Sequence, residues 1–264
     1  MPAPREQADV ETSSDAYARR FAGSVGAYFL EVQTAATLEL LRPWPGASVV
    51  DVGGGHGQVT GPLVDAGYRV TVLGSAPCCE SRVREWTRKG KADFVAGDLL
   101  SAPFPDRSFD VALSYRLLPH VRRWPALVAE LARVARAAVV VDYPTNRSVN
   151  AFSGWSFGLK RSVEGDTRPF RVFRDEEIEE AFARRGLAPT GRRPQFLFPM
   201  ALHRATGSAA LARAVEGAGG ILGLRHAFGS PVILRTEPAL GRLPWPRTRP
   251  PGGDCVLSRV QRGG

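Results

Sequence analysis

Cysteine is scarce in this 264-residue chain: Cys78, Cys79 and Cys255 are the only three. Two adjacent thiols and a distant third give neither a disulfide framework nor metal-ligand spacing, so reduced thiols and no metal are expected. Long apolar runs are also lacking. No segment approaches the roughly 18 uninterrupted apolar residues of a membrane span, and Met1 to Val10 has no apolar signal core, which leads to the expectation of a cytoplasmic protein. Lysine is nearly missing, with three against thirty-two arginines, so the net charge of +9 is an arginine charge. Such a charge raises the question of a nucleic-acid partner. Its placement argues against one, because five arginines against Asp254 put 5 − 1 = +4 of the total in the stretch from Pro238 onward. That stretch also holds five prolines and five glycines and is expected to be a disordered basic tail over 238–264.

What remains is ordinary for a globular domain, 44% hydrophobic and 23% charged, and long enough for one large core. The start, 1–13, is polar and proline-containing and is expected to fray. Tyr17, Phe21, Val25, Tyr28, Phe29, Val32, Ala36 and Leu40 recur at helical spacing and predict N-terminal helices over 14–41. Short apolar strands then alternate with helical segments: strands over 48–52, 69–73, 93–96, 109–114 and 137–142, and helices over 58–66, 77–89 and 124–135. This alternation predicts an α/β, Rossmann-like three-layer sandwich around a mostly parallel sheet. Residues 143–174 mix Pro, Asn, Ser and Gly with aromatics and read as a lid. Asp175 reads as the N-cap of a helix over 175–185. Final strands are predicted over 193–198 and 231–236, with a helical insert over 199–229 between them. Residues 14–237 thus form the predicted domain.

The decisive local feature is V-V-D-V-G-G-G-H-G, Val49 to Gly57. An acid at the tip of a buried strand followed at once by glycines lets backbone approach a nucleotide-like ligand closely. A dinucleotide fingerprint G-x-G-x-x-G would need glycine at position 58 or 60, where Gln58 and Thr60 stand, so nicotinamide is disfavoured.

With G-D-L-L-S-A-P-F-P-D-R-S-F-D-V-A-L-S-Y, Gly97 to Tyr115, this motif resembles the class I S-adenosylmethionine-dependent methyltransferases, more narrowly their small-molecule branch that includes quinone methyltransferases. The resemblance implies seven strands with the last antiparallel, and S-adenosylmethionine as cofactor. It implies that Asp51 orients the methionyl amino group, that Gly53, Gly54, Gly55 and Gly57 let backbone lie against the ligand, that Asp98 and Leu99 meet the adenine, and that Ser114 borders the site. The family usually has an acid after the second strand for the ribose. Here Gly74 and Ser75 stand there, leaving Ser75 with backbone groups, or Glu80 from the next helix, to take that role.

Methyl transfer from a sulfonium needs mainly proximity and exclusion of water, with a base only where the acceptor must lose a proton. Tyr115, Arg116, His120 and Tyr143, all past strand ends, are the candidates, with Arg116 also able to hold an anionic acceptor. His56 reads as a local hydrogen-bonding residue. The apolar stretches 196–202 and 218–224, near Arg204, Arg213 and Arg225, suit an apolar small-molecule acceptor or a peripheral membrane contact, or else pack on the sheet edge or a second subunit. The expected activity is O-, C- or N-methylation. A non-catalytic protein binding a partner through lid or insert is the alternative that the missing ribose acid raises; a nucleic-acid methyltransferase is suggested only by charge. The oligomeric state is open.

Overall fold

The computed structural model describes residues 6–148 and 170–239. The greater part of the predicted lid, 149–169, and nearly all of the basic tail, 240–264, lie outside the described residues. Seven strands form one sheet: β1 (Ser48–Val52), β2 (Arg69–Gly74), β3 (Ala92–Ala96), β4 (Phe109–Ser114), β5 (Ala135–Tyr143), β6 (Leu187–Pro194) and β7 (Val232–Pro238). Their order is β3-β2-β1-β4-β5-β7-β6. β1 to β5 pair in parallel, whereas β7 runs antiparallel to both its neighbours. The chain steps outward from β1 to β3 and then returns to the other side of β1, so the carboxyl ends of β1 and β4 flank a topological switch, where open α/β sheets bind ligands.

The central strands are apolar on both faces because helices cover both. On one face Val50, Val52, Ala112, Val139 and Val141 pack with Leu127, Leu131, Ile178 and Phe182 from α6 (Trp124–Val134) and α7 (Asp175–Ala183). On the other, Val49, Val70, Val111 and Val140 meet Leu40, Leu41 and Leu63 from α3 (Gly23–Leu41) and α4 (Thr60–Asp65). The segment after β2 divides into a 3₁₀ turn (Pro77–Glu80) and α5 (Arg84–Arg88).

Three sequence expectations differ from the structure. The penultimate strand lies at 187–194 rather than 193–198. Its L-A-P-T-G-R-R-P holds two prolines and a glycine, a composition with little strand signal that an edge position tolerates. Phe196 and Leu197 instead leave the sheet, and the Phe196 ring lies 5.0 Å from that of Phe29 on α3. Arg174, not Asp175, is the N-cap of α7; Asp175 is buried and accepts hydrogen bonds from Tyr143 Oη and Arg192. The N-terminus, expected to fray, forms α1 (Asp9–Thr12) and α2 (Asp15–Ala18), with Asp9, Thr12 and Ser13 buried.

The insert is three helices, α8 (Met200–Thr206), α9 (Ala209–Ile221) and α10 (Leu224–Phe228). Its inner side is tied down by the buried Glu216 carboxylate, which accepts from Leu197 N at 2.8 Å and Phe198 N at 3.0 Å and sits 2.8 Å from His203 Nε2. Its outer side leaves Leu202, Leu211, Ile221 and Leu222 exposed. Among the described residues no helix is long and apolar enough to cross a membrane. Glu216→Ala strands a buried amide, a half-buried one and the histidine, and is expected to lower the unfolding free energy by about 3 kcal/mol in urea denaturation; a loss below about 1 kcal/mol would contradict this role.

Candidate cofactor and methyl-transfer site

Asp51, next to last in β1, is fully buried, and neither of its carboxylate oxygens has a hydrogen-bond partner within the protein. The turn folds directly over it. A Cβ on Gly54 would lie 2.0 Å from Asp51 Oδ2, so only glycine fits there. Gly53 and Gly57 have φ of +76° and +69°, the left-handed region that glycine enters without strain. Gly55 is closed in from the other side, where a Cβ would meet Ser13 Oγ at 2.3 Å and the Cys79 carbonyl oxygen at 2.6 Å. Burial without a partner, with the Asp142 carboxylate nearby, pushes the Asp51 carboxyl up to about 8.

Past β4 the backbone turns at Arg116 with φ of +59°, an uncommon conformation for a side-chain-bearing residue. The turn is held by the Arg116 amide, which donates to Asp142 Oδ1 at 2.6 Å. The guanidinium donates to Gln33 Oε1 at 2.7 Å and lies 4.9 Å from the Phe21 ring centroid, while its Nε is buried and unpartnered. Arg204 of the insert approaches the same ring at 5.9 Å. Tyr115 Oη shares a 2.8 Å hydrogen bond with Thr37 Oγ1. Gln33 and Thr37 therefore form a buried polar stripe on α3, facing the end of β4. The apolar periodicity of that helix concealed them, although two amide and hydroxyl side chains four residues apart are themselves a signal.

The structure brings most of the sequence-derived cofactor residues to the carboxyl ends of β1, β2 and β3. Gly74 is the last residue of β2, and Ser75 follows with its hydroxyl buried and unpartnered. Asp98 caps a turn by accepting from Leu100 N at 2.9 Å, and Leu99 is fully buried. Ser114 donates to the Val52 carbonyl at 2.9 Å, fastening β4 to β1 beside the turn. His56 Nδ1 accepts from Gln58 N at 3.1 Å, so the ring proton of the neutral form sits on Nε2. Burial and the Arg116 cation hold this imidazole down to about 3.

The candidates for proton transfer are less uniform. Tyr115 and Tyr143 are fully buried, and burial raises both phenols. Tyr143 Oη is engaged with Asp175 at 3.1 Å, and its side chain packs in the apolar cluster on the α6 and α7 face of the sheet. His120 ends the 3₁₀ turn Leu118–His120, half-buried, its ring 5.6 Å from Phe170. Glu80 is engaged by the next helix, accepting from Thr87 Oγ1 at 2.9 Å. Sequence reasoning missed Asp9, whose Oδ2 accepts from Ser75 N at 2.8 Å.

Residues 50–140 match the methyltransferase domain family. Residues 50–140 are a class I S-adenosylmethionine-dependent methyltransferase domain. The chain is 32% identical over 101 residues to the malonyl-[acyl-carrier protein] O-methyltransferase of Serratia marcescens, a match covering 38% of this chain and 39% of that protein. It is 36% identical over 104 residues to the 2-methyl-6-phytyl-1,4-hydroquinone methyltransferase of Synechocystis, covering 38% and 33%. Matches of this kind span about one third to one half of the relatives' own length. The solved magnesium protoporphyrin IX methyltransferase of Synechocystis, with bound S-adenosylhomocysteine, has the same fold, with a TM-score of 0.60 at 13% identity over 85% of this chain and 93% of that one.

The residues of the crevice fit this cofactor. A buried carboxylate with two unpartnered oxygens is costly unless a cationic donor meets it, and the methionyl end carries an ammonium group. The cost has a pH signature. Because the folded value of Asp51 lies above its unfolded value, its contribution is most favourable below about pH 4 and is lost as pH rises toward about 8. Asp51→Asn is therefore expected to raise the melting temperature of the ligand-free protein more at pH 9 than at pH 5. Equal shifts at both pH values would show that the carboxyl titrates normally.

Proposed function

We propose that the chain transfers the methyl group of S-adenosylmethionine to oxygen, carbon or nitrogen of a small acceptor with an apolar body. The observation that carries this reading is the unpartnered Asp51 carboxylate beneath a turn that tolerates no side chain. S-adenosylmethionine supplies an electrophilic methyl on a sulfonium, so the protein's work is holding, orienting and excluding water. Asp51 holds the ammonium end, and the amides of Gly53 to Gly55 lie against it. Asp98 and Leu99 receive the base, the one by its carboxylate and the other by packing.

On the acceptor side, Arg116 and Arg204 with Phe21 offer an aromatic face edged by cations, suited to an apolar molecule bearing an anionic or polarisable group. The named hydroquinone of the Synechocystis relative supports an apolar acceptor. For an acceptor that must lose a proton, burial keeps the two tyrosines protonated and arginine does not deprotonate, which leaves His120 as the base among the four candidates.

Equilibrium titration with S-adenosylhomocysteine tests the reading. Saturable binding is expected, weakened roughly 100-fold or more by Asp51→Ala, the scale for truncating one partner of a buried charge pair. Absence of binding by the unmutated chain would eliminate the enzyme. If His120 is the base, His120→Ala leaves this binding intact while lowering turnover of a proton-losing acceptor roughly 100-fold or more; unchanged turnover would remove it from that role.

A further inference from the structure

The tips of three adjacent strands divide the crevice. Asp51 stands at the end of β1, Ser75 just past β2, and Asp98 past β3, in the spatial order that the sheet dictates. On the proposed function, on which this inference rests, the ammonium end lies at β1 and the base at β3, so the sugar between them crosses the tip of β2.

That tip cannot carry its own acid. A side chain on Gly74 would start 2.7 Å from Cys79 Cβ and 2.9 Å from the Phe94 ring. A carboxylate arrives from outside the sheet instead. Asp9, the first residue of α1, is fully buried; its Oδ2 takes the Ser75 amide at 2.8 Å, and its Oδ1 has no partner within the protein. Ser75 Oγ, on the same residue that anchors Asp9, is likewise buried and unpartnered. A carboxylate oxygen accepts only, and a hydroxyl both donates and accepts, so the pair is unsatisfied in a way that neighbouring hydroxyl groups would complete.

The Asp9 carboxylate is not the one link between this helix and the loop after β2. Thr12 Oγ1 and Ser13 Oγ donate to the Asp9 carbonyl at 3.0 and 2.7 Å, and Ser81 Oγ donates to the Ser13 carbonyl at 3.3 Å, which joins the helix to the loop after β2. We propose that Asp9, with Ser75 Oγ, binds the ribose hydroxyls of the cofactor, so that the N-terminal helix supplies the acid that the second strand lacks.

The test is calorimetric binding, to the full chain, of S-adenosylhomocysteine and of its 2′,3′-dideoxy analogue. The unmutated protein is expected to prefer the natural ligand. Asp9→Ala should weaken S-adenosylhomocysteine roughly 10- to 100-fold, as for loss of hydrogen bonds to a charged group, and leave the dideoxy analogue nearly unchanged. Asp9→Asn, which keeps the shape and an acceptor for the Ser75 amide, should narrow the preference in the same direction. Equal losses for both ligands would mean that Asp9 only holds α1 in place. Unchanged binding, or tighter binding because the helix is a plug to be displaced, would overturn the proposal too. Each of those outcomes leaves the methyltransferase reading standing, whereas failure of the unmutated chain to bind either ligand removes that reading and the role of Asp9 together.

Discussion

A carboxyl group sealed in a protein interior without a donor ionises only at a cost in free energy, and below its raised midpoint it stays protonated. Asp51 is in that position, and the surrounding structure is arranged to keep it there. Gly54 has no side chain because any would collide with it, and Gly53 takes a left-handed turn to bring the amides back over the strand end. Ser114 fastens the neighbouring strand to the carbonyl of Val52, beside the turn. The strain of Arg116 on the other bank is held by Asp142. Sites of ligand binding concentrate such local costs, since a rigid, mismatched interior is what the ligand then matches.

Much of this was legible in the sequence. The glycine turn was, because its residues are constrained by the backbone itself: no other side chain fits, so the pattern stands in the letters. The central strands were legible because burial on both faces demands unbroken apolar runs such as Val111–Leu113 and Ala137–Val141. β6 was not, because an edge strand needs little of that composition, and its prolines and Gly191 read as loop.

The N-terminal contribution was hidden for a different reason. Residues 6–13 are polar and short, and polar residues near a chain end normally describe a solvated segment. Here Asp9, Thr12 and Ser13 are buried, and two of them meet the crevice: Ser75 meets Asp9, and Ser13 packs on Gly55. The polar stripe of α3 is a second instance. Gln33 and Thr37 look like surface positions until Arg116 and Tyr115 are placed opposite them. In both places the complement lies tens of residues away, and local periodicity carries no trace of it.

The ionisation of Asp51 is the property on which the site depends. Carboxyl-carbon NMR of Asp51, titrated in the ligand-free protein and again with S-adenosylhomocysteine, reads it directly. A midpoint near 8 without ligand, falling toward the ordinary aspartate range of about 4 once the ligand's ammonium is bound, is the predicted result. A midpoint already near 4 in the free protein, or one that does not move on binding, would contradict the claim that this carboxylate waits for a cation.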